Sequence, residues 1–309
     1  MRSGLTGLIN LCLLVCACGH PPGAGGARAP APGPSSGASS WTYPELVNTW
    51  ASSGARECEH GTVQSPIDLS CAACLSPQRT KVVVEVPTLE FVPVLSPEDP
   101  HNFSFHLPVA MDPRSITVDG SKWQVKEFHF HVPAENRIAS PPGRPSTTAP
   151  PMEMHIKTQL STDSHTYAVF AVLFVEQSEP PDQPDQLGAW FDPILRLLGG
   201  REPGVFTLGD PTPPISPASG PLAYFESNPF WGFPGSLTTP PCTAVSNWFV
   251  LTIPFPIAIG QAAQFSDFLA RKFHTARNAR GLQPIGARPI MQYVPQQASA
   301  STGSGAGPN

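Results

Sequence analysis

Charged side chains are scarce in this chain, at 13% of residues, with 18 basic against 23 acidic. The resulting net charge of −5 excludes a basic nucleic-acid binder, and no acidic block is present to form a solvating tail. No internal repeat is visible, convincing helical patterns are few, and no stretch beyond the N-terminal region reads as a membrane span. Proline is the opposite case: 40 of 309 residues, about 13% against an average near 5%. An internal proline costs a helix about 3 kcal/mol, so helix bundles and coiled coils are poor fits. Much of the proline sits in short tracts, as in a folded body with proline-rich tails and loops. The length suits one large domain or two small ones, and it is enough to bury a core without relying on disulfides.

Residues 1–17 carry one Arg and an apolar run from Leu8 to Ala17. The run is too short to cross a bilayer and fits a secretory signal. Val15, Cys16, Ala17 and Cys18 resemble a bacterial lipobox, in which cleavage leaves a lipidated Cys18 that would attach the chain to a membrane. An ordinary signal cut further along is the alternative. Residues 18–40 are nearly all Gly, Pro, Ala and Ser, a composition that cannot offset its ordering entropy and reads as a flexible tether. Residues 295–309 read as a disordered tail. The expected location is exported, either periplasmic or at the cell surface.

Cys12 and Cys16 leave with the signal, which leaves Cys58, Cys71, Cys74 and Cys242 besides Cys18. An even number in an exported chain suggests disulfides, and four cysteines allow three pairings. Cys71 and Cys74 form a lone CxxC, half a zinc knuckle at best.

Short runs rich in β-branched and aromatic residues recur between turn signals: Lys81–Val86, Phe103–Leu107, Ser115–Val118, Lys122–His131, Met152–Leu160, Tyr167–Val175 and Asn247–Ile253. Helical patterns are limited to Leu187–Leu198, interrupted by Pro193, and Gln261–Phe273. The fold class expected is mainly β, or α+β: one sheet-dominated domain over residues 41–294.

Phe128–His131 reads FHFH. Alternation along a strand puts His129 and His131 on one face and the two phenylalanines on the other. Met152–Lys157 reads MEMHIK and repeats the device, with Glu153, His155 and Lys157 pointing one way. If these strands are neighbours, three imidazoles converge. Three neutral histidines with an open fourth position form the catalytic zinc pattern. Glu153 could accept a ring N–H from a ligand and set its tautomer. A solvated strand Glu is the plainer alternative. A rival exists: His129, His131 and Glu135 spell HxHxxxE, similar to the first cupin motif, which would mean iron, manganese or nickel in a jelly roll. Met152–His155 lacks the Gly/Pro lead-in of the second cupin motif.

Gly235–Cys242 reads GSLTTPPC. With EFHFHVPAE and MEMH in that order, the chain resembles the α-class carbonic anhydrases. The resemblance spans nearly the whole body: Trp41 and Tyr43, then QSPID at Gln64–Asp68, Trp248, and a C-terminal pattern of Asn278, Arg280, Gln283, Pro284 and Arg288. It implies a large, twisted, mostly antiparallel sheet with short peripheral helices and a conical cavity. It implies one zinc ion on His129, His131 and His155, reversible hydration of CO2 to bicarbonate by metal-bound hydroxide, and inhibition by sulfonamides and small anions. Thr238 would accept from the hydroxide and donate to Glu135, aiming a lone pair at carbon. His101, in HNFSFHLP, would relay the proton to buffer, with His106 the runner-up. Val169, Leu237 and Thr239 would shape the substrate pocket. Cys58 and Cys242 would pair, and Cys71 and Cys74 would pair with each other or stay reduced.

Departures from the family pattern are specific. Asn136 stands where His is usual, Glu127 where Gln is usual beside the first ligand, Phe233 for Tyr and Gly281 for Pro. Lys157 replaces a small apolar residue two positions after the third histidine. Alternation aims it at the metal pocket, where a cation is costly unless paired and its stem takes up substrate space, unless it snorkels to the mouth. Impaired but present activity is expected. A carbonic-anhydrase-like binding module with little turnover is the alternative.

Overall fold

The computed structural model describes residues 43, 50, 54–70, 77–85, 92–95, 101–106, 115–139, 150–178, 190–199 and 220–296. The leader, Cys18, the tether, the Cys71 and Cys74 pair and the tail beyond residue 296 lie outside the described residues.

Among the described residues twelve strands form one mixed sheet. In chain order they are β1 Pro77–Thr80, β2 Val82–Glu85, β3 Val92–Leu95, β4 Phe103–His106, β5 Ser115–Val118, β6 Ser121–His131, β7 Met152–Leu160, β8 Tyr167–Gln177, β9 Phe230–Ser236, β10 Ala244–Leu251, β11 Phe255–Ala258 and β12 Met291–Pro295. Their spatial order is β1-β12-β9-β10-β8-β7-β6-β4-β3, with β11 on β8 and a β2-β5 pair beside β6. The pairings β1/β12, β10/β8 and β11/β8 are parallel. The others are antiparallel, in line with the expected fold. Helices are short: α1 Glu57–His60, α2 Asp192–Gly199, α3 Gln261–Phe273 and a 3₁₀ turn at Pro221–Glu226. Pro193 does not interrupt α2 but stands in its first turn, where the missing N–H has no partner to lose.

The central strands are covered on both faces, so they read as nearly continuous apolar runs. In β8, Phe170, Val172 and Phe174 turn to the main core beside Phe128, Phe130 and Met154. Val169, Ala171 and Leu173 turn to a second cluster with Trp231, Trp248 and Ile67. Phe105 stacks on Phe128 with ring centroids 4.9 Å apart, and α3 closes the main core with Phe265, Phe268 and Leu269. A third small cluster holds Trp50 against the Cys58–Cys242 disulfide, which joins positions 184 residues apart.

A cross-link closing so long a loop removes much conformational freedom from the unfolded chain. Replacing both Cys58 and Cys242 by Ala is expected to cost about 2–5 kcal/mol. Reversible urea unfolding would read this as a lower midpoint at an unchanged native far-UV spectrum. An unchanged midpoint would contradict it.

Candidate metal centre and cavity

Two adjacent strands build the centre. β6 pairs with β7 in antiparallel register, His129 opposite His155 and His131 opposite Glu153. Directly opposed residues point to the same face, so all three imidazoles share it while Phe128, Phe130 and Met154 fill the core behind. The potential ligand atoms of His129, His131 and His155 lie within 4.8 Å of one another.

Each ring has one nitrogen beside a polar oxygen. His129 Nδ1 lies 3.0 Å from Glu127 Oε2. His131 Nδ1 donates to the Asn278 carbonyl at 2.6 Å, and a carbonyl accepts only, so that nitrogen carries the proton. His155 Nε2 lies 3.0 Å from Glu153 Oε1, at an angle outside regular hydrogen-bond geometry. The nitrogens left to converge are Nε2 of His129, Nε2 of His131 and Nδ1 of His155. His131 Nε2 is buried and has no hydrogen-bond partner among the described residues, an acceptor that a cation would satisfy. Burial first, and then the neighbouring histidines, hold His131 and His155 well below the usual imidazole range, so both are neutral. A cluster of three imidazoles suits zinc and not magnesium or calcium, which prefer oxygen ligands.

The surrounding carboxylates orient these rings. Glu153 Oε2 accepts the backbone N–H groups of Glu135 and Asn136 at 2.7 Å each. Its Oε1 accepts the Asn136 side-chain amide at 2.7 Å. Asn136 therefore acts as a donor at the position where His is usual in the family pattern. Burial raises the Glu153 carboxyl, and these donors work against the rise. Glu135 Oε1 accepts the Arg280 backbone N–H at 2.7 Å. Burial drives the Glu135 carboxyl well up, opposed by that bond and by a hydrogen bond with the Thr238 side chain. Glu135 Oε2 is buried and has no regular hydrogen-bond partner among the described residues. The Arg280 guanidinium donates to Gln64 Oε1 at 2.9 Å, to the Ser65 carbonyl at 2.6 Å and to the Cys58 carbonyl. Burial lowers it to about 10, with Glu135 opposing, so it stays cationic at neutral pH.

Val169, Leu237 and Trp248 form the apolar wall of the cavity above His129 and His155. Thr238, Thr239, Asn102, Glu127 and Lys157 supply its polar part. Trp248 meets His155 edge-on at 4.8 Å and donates Nε1–H to the Ser236 carbonyl at 2.9 Å. Burial raises the Glu127 carboxyl, but His129, Lys157 and His106 more than offset this and leave it lowered. His101 packs edge-on against Tyr43 at 6.0 Å, and its neighbour Asn102 takes the place on the cavity wall. Asn102 was not among the expected site residues. Carrying the alternation of Phe103 and Phe105 back one position would have put it on the histidine face. The tasks of Asn278 and Arg280 were equally unread, since only the fold brings residues so distant in sequence to β6.

The family model for eukaryotic-type carbonic anhydrases matches residues 45–294. A carbonic anhydrase of Neisseria gonorrhoeae is 30% identical over 178 residues, 58% of this chain and 59% of that protein. The chain thus spans under two thirds of that relative. A carbonic anhydrase of Pectobacterium carotovorum is 28% identical over 240 residues, 76% of this chain and 81% of that protein. The α-carbonic anhydrase of Thermovibrio ammonificans, solved with sulfanilamide, superposes with a TM-score of 0.59 at 25% identity, covering 82% of this chain and 100% of that one. Motif order, sheet and histidine cluster agree with these matches, and the chain belongs to the eukaryotic-type carbonic anhydrase family.

Proposed function

We propose that this chain is a zinc enzyme that hydrates CO2 reversibly to bicarbonate and a proton, with the metal on His129, His131 and His155. The observation that carries this reading is the convergence of three imidazoles, each with its outer nitrogen beside a polar oxygen, beneath a partly apolar cavity. When bound, zinc would supply a Lewis-acid centre that makes water a nucleophile near neutral pH. The chain's own residues do the rest. Glu135 takes the hydroxyl proton of Thr238 in a hydrogen bond, which leaves the Thr238 oxygen as an acceptor and turns a lone pair of the attacking oxygen toward carbon. Val169, Leu237 and Trp248 offer CO2 a surface that competes poorly for water. His101, next in sequence to the cavity residue Asn102, is our proposed proton relay. Sulfonamides, present in the Thermovibrio ammonificans structure, should occupy the same cavity. The Cys58–Cys242 disulfide and the apolar leader support an exported, periplasmic or cell-surface enzyme, with lipid on Cys18 as its anchor.

One observation favours a second reading. Lys157 lines the cavity beside Val169, so its stem occupies volume that substrate would otherwise use. A binding module with little turnover would follow if that obstruction were complete.

Stopped-flow CO2 hydration by zinc-loaded protein, with and without a sulfonamide, separates the two. Sulfonamide-sensitive turnover is expected, and folded, zinc-bound protein without turnover would leave the binding module. Thr238→Ala should lower kcat/KM about 100-fold with zinc content unchanged. Lys157→Val should raise kcat/KM by roughly 3- to 10-fold as the pocket widens, within the range that one or two methylenes command. An unchanged or lower value would show that the stem does not obstruct.

A further inference from the structure

The two polar departures on the cavity wall face each other. Lys157 on β7 stands directly opposite Glu127 on β6, and the next partner of Glu127, on β4, is His106. This pairing keeps the register that sets His129 opposite His155, and the shift in the ladder falls beyond it, between Val125 and Glu127. Directly opposed residues of an antiparallel pair have their Cβ atoms about 4.5–5.5 Å apart on the same face, close enough for long side chains to interact. Glu127 also holds His129 Nδ1 at 3.0 Å and is 7% exposed. The Lys157 ammonium lies 5.8 Å over the Tyr167 ring, which draws it along the wall.

We propose that Glu127 and Lys157 form a charge-balanced positioning pair behind the ligand His129, so that each departure from the family pattern compensates the other. This rests on the three imidazoles being the zinc site. A carboxylate on a ligand imidazole enriches the ring in electrons and strengthens its hold on a cation. A cation on the same wall acts in the opposite sense, repelling a divalent ion through a partly dry cavity. Either charge alone would unbalance the centre and leave a poorly solvated ion in the wall. In register they cancel, as the neutral Gln and small apolar residue usual at these positions do without charge.

The test uses Glu127→Gln, Lys157→Met and the double variant. Met keeps an unbranched stem, so it removes the charge and spares the bulk. Zinc affinity by chelator competition should move in opposite directions. E127Q should bind about 10- to 100-fold more weakly, K157M roughly 3- to 10-fold more tightly as a cation is lost, and the double variant should fall between them. Thermal unfolding of the metal-free proteins supplies a readout that needs neither zinc nor turnover. Each single change should lower Tm by about 2–4 °C, and the double variant should recover most of that loss, giving a non-additive cycle. Additive Tm losses, or zinc affinities shifted the same way by both single changes, would overturn the pair. A parent chain that binds no zinc but keeps the non-additive cycle would instead remove the zinc-site assignment.

Discussion

Everything at the centre depends on the register between β6 and β7. Side chains alternate with a period of two, so a slip of one residue would exchange the His face of β6 for its Phe face. The aromatic core forbids the slip. Phe128 stacks on Phe105, and Phe130 meets Phe191 and Phe265 at 5.2 and 5.6 Å. Packing on one face of the strand therefore aims the imidazoles on the other. The histidines themselves are held mainly by polar partners, with one aromatic contact, Trp248 edge-on against His155.

A second requirement follows from burying so many polar groups. Glu135, Glu153, Asn136, Asn278 and Arg280 all lie in the interior, where an unmatched carboxylate or amide is costly. The segment after α3 answers this. Asn278 accepts the Val132 N–H, donates to the Phe130 carbonyl and receives His131 on its own carbonyl. Arg280 ties Glu135 to the strand-free segment near Gln64 and the disulfide. These bonds set which nitrogen of His131 faces inward.

Much of this was legible because alternation is a local signal. FHFH and MEMH named the three converging histidines and their face, and six of the seven expected strands match their observed bounds within one or two residues. β9 was missed because FWGFPGS carries Gly and Pro. The β12 ladder ends opposite Gly232, so Pro234 lies beyond it and its absent N–H breaks nothing there. β1 and β12 escaped notice because PQRT and MQYVP are short and mixed. Glu127 and Lys157 each stood out as an oddity, but their opposition depends on the register in which β6 and β7 pair, which no local pattern announces.

The contacts that close the centre span long separations: 147 residues between His131 and Asn278, and 216 between Gln64 and Arg280. Protein synthesis proceeds from the N-terminus, so all three histidines emerge long before the residues that orient them. Until the last tenth of the chain is released, His131 lacks its carbonyl partner and Glu135 lacks its backbone donor. A stalled or proteolytically clipped chain ending before Asn278 would carry all three histidines and still hold no finished centre. Quality control during synthesis thus falls on a part of the protein that contributes none of the three histidines.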